Sequence, residues 1–202
     1  IDAEDIFTKL SNELNSDKNL RQEIKNRFYN LYRSGEVEFL EVNQIFSKVL
    51  KDIAIEFNVN DISQKAYSFY KNHFINSCKL FPETIPTLKE LKKKNIRLMI
   101  LSDADAEVLI QELDKLEIRK YFDKIFVSSD LGAYKPSDKV VNKVLNFCHN
   151  PLSEILLVGN SIVDIKTAKK MGVKSVYIIR DKRPKITPDF EIKKLSEVLE
   201  IV

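Results

Sequence analysis

Apolar residues recur at helical spacing in the first part of the chain and form short unbroken runs in the second. Ile6, Leu10 and Leu14 stand four apart, as do Ile24, Phe28 and Tyr32, and then Ile45, Val49 and Ile53. Ala66, Phe69, Tyr70 and Phe74 share one helical face. Polar breaks separate these stretches at Asn15-Ser16-Asp17, Arg33-Ser34-Gly35 and Asn58-Val59-Asn60-Asp61. The pattern predicts a small all-helical domain of three to five helices over residues 1–80.

After Phe81-Pro82 the rhythm changes. A helix over 85–94 leads into Ile96-Arg97-Leu98-Met99-Ile100-Leu101. A helix near 107–116 then precedes Ile125-Phe126-Val127-Ser128. Helices over 137–147 and 165–171 precede Ile155-Leu156-Leu157-Val158 and Ser175-Val176-Tyr177-Ile178-Ile179, and Phe190-Glu191-Ile192 and a helix over 195–199 close the chain. Short apolar runs alternating with helices predict parallel strands joined by right-handed crossovers and covered on both faces. Residues 81–202 are therefore expected to form an α/β domain, a doubly wound parallel sheet of Rossmann-like type. In such sheets ligands sit beyond the carboxyl ends of the strands. The polar residues there are 102–105, 128–130 and 159–164.

Composition narrows the partners. The 33 basic and 30 acidic residues leave a net charge of only +3, without the basic excess of a nucleic-acid binder. No apolar run approaches the roughly 20 residues of a membrane span. The first ten residues carry Asp2, Glu4 and Asp5 and no basic leader, so no secretory signal is expected. Cys78 and Cys148 make no disulfide framework or metal spacing. The expected setting is cytoplasmic, with no nucleic acid or membrane partner. His73, His149 and the helical aromatics read as core or capping residues. Lys92-Lys93-Lys94 reads as a helix end favoured by the dipole, and Lys182-Arg183-Pro184-Lys185 as a loop.

The strand ends carry chemistry. Ser102 closes a buried run with a hydroxyl that can donate to an anionic oxygen, although Ser and Asp also suit a helix N-cap. Lys135 precedes Pro136 at the mouth of a helix, an extended setting for an ammonium. Asn160 and Asp164 stand four apart across a strand-to-helix turn, where an acid also suits the helix dipole. Together Leu101-Ser102-Asp103, Tyr134-Lys135-Pro136 and Gly159-Asn160-Ser161-Ile162-Val163-Asp164 resemble the second, third and fourth signature motifs of the haloacid dehalogenase superfamily. They stand in the family's order and at similar spacing. The resemblance covers 81–202 in detail and the helical domain, as a cap, in outline.

That resemblance implies a hydrolase acting on a small phosphorylated substrate through an aspartyl-phosphate. It implies catalytic roles for Ser102, Lys135 and Asp164, substrate binding by Ser102 and the backbone of Asp103, and magnesium held by Asn160 and Asp164. The family's earlier metal position is usually acidic, so Asn160 implies weaker magnesium binding. The family's first motif, an apolar strand ending in Asp-x-Asp-Gly-Thr, does not occur in the chain; Ile1-Asp2-Ala3-Glu4 resembles the tail that follows it. The expectation is a fragment lacking the nucleophile strand, with a strand-width gap between 96–101 and 155–158. A metal-free dehalogenase and a catalytically silent scaffold remain the alternatives.

Overall fold

A computed structural model describes residues 3–14, 19–32, 38–180 and 186–202. The breaks expected at 15–17 and 33–35, the loop at 182–185 and the first two residues lie outside the described residues. The chain divides into two compact units, one of residues 1–79 and 104–117 and one of residues 80–103 and 118–202.

The first unit contains α1 (Ala3–Glu13), α2 (Arg21–Leu31), α3 (Val42–Phe57), α4 (Ala66–Ser77) and α6 (Ala106–Lys115). Every buried residue of α3 lies on one stripe: Val42, Ile45, Phe46, Val49, Leu50, Ile53 and Ala54. The Phe46 ring lies 4.5 Å from that of Phe28 and 6.0 Å from that of Phe7, so three helices share one aromatic centre. Asn58 takes the left-handed conformation at φ 52° and ends α3, which is why the chain turns at the break read in the sequence. Helix α6 joins this unit through side chains. Glu107 pairs with Lys71 and accepts from the Tyr67 hydroxyl, and Lys115 donates to the Ile75 carbonyl.

The second unit is α/β. It holds α5 (Thr84–Lys93), β1 (Met99–Ser102), β2 (Lys124–Val127), the one-turn α7 (Ser128–Leu131), α8 (Asp138–Phe147), β3 (Leu156–Gly159), α9 (Ile162–Met171), β4 (Lys174–Ile178) and β5 (Phe190–Ile192). All pairings are parallel, but the strands form two sheets, β1-β2 and β3-β4-β5. Successive residues pack to opposite faces. Met99, Leu101, Ile155 and Leu157 pack with Phe126, Val140, Val144 and Met171, whereas Leu98, Leu156, Val176 and Ile178 pack with Leu91 and Val198. Two covered faces are the reason the strand runs read as wholly apolar.

Among the described residues β1 and β3 belong to separate sheets and do not pair, which leaves a gap between them. A cavity of about 460 Å³ is lined by Ile96, Leu98 and Met99 on one side and Ile155, Leu156 and Val158 on the other. β3 is only half-buried, and Val158 is 37% exposed, although β4 beside it is buried from Ser175 onwards.

Candidate active site

The carboxyl ends of β1 and β3 flank the open end of this gap. β1 closes at Ser102, whose register partner is Val127 at the end of β2. The chain then passes through α7 and turns at Gly132 with φ 60°, and the Lys135–Pro136 peptide is cis. Ser137 starts α8 by accepting the Val140 N–H. This turn carries Lys135 inward, where it is buried despite its charge.

A buried ammonium needs a partner. Lys135 Nζ lies 2.6 Å from Asp164 Oδ1 and donates to the Leu101 carbonyl oxygen at 3.3 Å. The other Asp164 oxygen accepts the Ser161 N–H at 3.1 Å and the Ser161 hydroxyl at 2.8 Å. The Asp164 N–H donates back to Ser161 Oγ, so the capping box that starts α9 also fixes this carboxylate. Burial pushes the Asp164 carboxyl up; the Lys135 ammonium and the hydrogen bonds from Lys135 and Ser161 outweigh it and hold the group below the usual carboxylate range. Gly159 makes the room. A Cβ there would stand 2.3 Å from Asp164 Oδ2.

The structure thus brings Lys135 and Asp164 together beside the Leu101–Ser102 end of β1, and both line a smaller cavity of about 110 Å³ with Leu101 and Leu157. Asn160 follows Gly159 and is exposed, with Asp164 one helical turn beyond. Asp103 Oδ1 accepts the Lys135 backbone N–H at 2.9 Å, so its carboxylate serves the lysine loop. Sequence reasoning did not assign Ser161 or the space at Gly159. The Ser161-x-x-Asp164 spacing was the available signal for the first; the second needs the backbone path.

Magnesium takes about six oxygen ligands, largely carboxylate and water. Here Asp164 has both oxygens engaged and Asn160 carries no charge. Among the described residues no group of three His, Cys, Asp or Glu side chains could hold a metal. By themselves these residues do not fit magnesium. They do fit an anion: one buried, oriented ammonium at the carboxyl edge of a parallel sheet can neutralise charge developing on a bound group.

Comparison with known proteins gives the family. The model of the haloacid dehalogenase-like hydrolases matches residues 13–178. The chain is 27% identical to a phosphoglycolate phosphatase of Aquifex aeolicus over 167 residues, covering 80% of this chain and 75% of that protein. It is 25% identical to a glyceraldehyde 3-phosphate phosphatase of Methanocaldococcus jannaschii over 185 residues, 82% of this chain and 81% of that one. Among solved structures, the magnesium-bound HAD-hydrolase YfnB of Bacillus subtilis superposes with a TM-score of 0.78 at 23% identity, covering 98% of this chain and 90% of that one. The L-2-haloacid dehalogenase RSc1362 superposes at 0.74 and 17% identity, covering 99% and 92%.

Proposed function

Because this chain belongs to the haloacid dehalogenase-like hydrolases, we propose that it is the capped core of a phosphatase acting on a small phosphorylated metabolite. The helical unit is the cap, and residues 80–103 and 118–202 are the core. The observation that carries the reading is the buried Lys135–Asp164 pair at the carboxyl ends of β1 and β3, opening on the gap between them. A parallel strand seated in that gap satisfies both open edges and brings its carboxyl end beside Lys135.

An aspartate at that end attacks phosphorus. The phosphorus–ester oxygen bond breaks, and its electron pair leaves on the alcohol oxygen, which takes a proton from a second carboxylic acid. Water then attacks phosphorus, gives its proton to that carboxylate, and releases orthophosphate and the free aspartate. Lys135 neutralises charge on the carboxylate and the transferring group in both steps, Ser102 donates to a phosphoryl oxygen, and Asp164 holds Lys135 in place. The phosphatase names of the relatives support the substrate class.

A second reading, a metal-free dehalogenase, is favoured by one feature: Lys135 and Ser161 occupy both oxygens of Asp164, and Asn160 is neutral. The product of the full reading frame, assayed on small phosphate esters and 2-haloacids with and without magnesium, separates the two. Orthophosphate release that falls by about 100-fold or more in Lys135→Ala supports the phosphatase. Halide release alone moves the chain to the second reading, and neither product makes it a binding scaffold.

A further inference from the structure

We infer that Asp103 is a positioning residue: it sets where Lys135 sits by fixing the lysine loop to the end of β1. The functional half of this inference rests on the hydrolase reading above; the structural half does not.

The backbone–backbone bonds of the loop between α7 and α8 run over short stretches of chain. The Ala133 N–H reaches back to the Ser128 carbonyl at 3.3 Å, and the Ser137 N–H reaches the Tyr134 carbonyl at 3.1 Å. Both bonds are local. Pro136 has no N–H to offer. The bond from Lys135 N–H to Asp103 Oδ1 is different in kind, because it spans 32 residues and ends on the residue after β1. It fixes the lysine backbone against Ser102, so that side chain and main chain of Lys135 are held separately. Asp164 and the Leu101 carbonyl hold the ammonium, and Asp103 holds the peptide.

The chemistry explains why an acidic residue is tolerated beside an anion-binding site. A carboxylate facing a phosphoryl group repels it, but at least one oxygen of Asp103 is turned onto an N–H. The bond, at 2.9 Å, keeps that oxygen on the lysine loop. Lys135 is itself buried, so water is a poor substitute acceptor for that N–H.

The role needs an acceptor at this position and does not need its charge. Asn supplies a carbonyl oxygen of the same reach, whereas Ala supplies nothing. The test therefore compares Asp103→Ala with Asp103→Asn in the product of the full reading frame, by phosphatase kinetics and by amide hydrogen exchange. The expected result is a fall in kcat of about 10- to 100-fold for the Ala variant, the scale of a misplaced catalytic group, with KM little changed. The Asn variant recovers most of the rate. The Lys135 amide exchanges faster in the Ala variant alone, while the Val176 and Tyr177 amides of β4 keep wild-type protection. An Asn variant as slow as the Ala variant, or an Ala variant at the wild-type rate, overturns the inference. So does faster exchange at β4 together with Lys135, since the loss is then general unfolding. If the wild-type protein releases no phosphate, the hydrolase reading fails, and exchange at Lys135 still decides whether Asp103 holds the loop.

Discussion

At the scale of single residues the site depends on space as much as on charge. Gly159 has an ordinary backbone conformation, but its missing side chain is where the Asp164 carboxylate sits. Gly159→Ala drives a methyl group into that carboxylate and pushes it off Lys135. The expected outcome is a loss of about 100-fold in kcat and of about 1–3 kcal/mol in stability, measured by steady-state kinetics and urea denaturation. Asn160 acts in the opposite sense. Asn160→Asp adds a second carboxylate one turn from Asp164, and magnesium affinity measured by calorimetry is expected to rise. An unchanged affinity removes position 160 from any metal role. The residue types at 102 and 164 were legible as site candidates from the strand-end rule, and Lys135 from the motif resemblance. The partners of Asp103 and Asp164 were not, because hydrogen bonding across loops leaves no periodic signal.

At the scale of elements, two carboxylates act on backbone rather than on ligands. Asp105 is buried in the helical unit, where Oδ1 accepts the Val42 N–H at 2.9 Å and Oδ2 the Asn43 N–H at 3.0 Å. It therefore satisfies two of the first donors of α3 from a distant part of the sequence. Burial pushes its carboxyl up even so, the bonds from Asn43 and Val42 pulling the other way. Asp105→Ala leaves both N–H groups short of an acceptor, and a loss of about 1–3 kcal/mol is expected in urea denaturation. Asp189 does a related job in the other unit. It accepts from the Ser175 N–H at 2.9 Å and hydroxyl at 2.8 Å, and from Lys174 at 3.1 Å, joining the starts of β4 and β5. The Ser175 bonds and the Lys174 ammonium hold its carboxyl down at about 2. A depressed folded pKa stabilises the fold above the unfolded value and loses that contribution as pH falls through the folded one. Thermal melting between pH 4 and pH 2 should therefore show a fall in stability that is shallower in Asp189→Asn.

At the scale of the whole molecule, the decisive feature is the open slot in the α/β unit. An edge strand presents a row of unpaired N–H and carbonyl groups, and here β1 and β3 present such rows to one cavity. Cys148 reports on the slot because it lines both cavities. Extending the chain ahead of Ile1 with an apolar strand ending in Asp-x-Asp-Gly-Thr is expected to slow maleimide labelling of Cys148 while leaving Cys78 unchanged. Equal labelling of Cys148 with and without the extension shows that the slot does not take a strand. Among the described residues no helix is long and apolar enough to cross a membrane.

The sequence by itself determined what is periodic and local. Helical stripes such as the one from Val42 to Ala54, strands buried on two faces, the turn at Asn58 and polar residues at strand ends all follow from spacing and backbone preference. The resemblance of three motifs predicted the family. Only the tertiary structure decided where long-range bonds go. It groups α6 with the helical unit through Glu107 and Asp105, turns Asp103 onto the lysine loop, and lets Ser161 and Lys135 take both oxygens of Asp164. The physical reason is the same in each case. Burial requires every charged group to find a partner, and which partner is within reach depends on how distant segments are folded together.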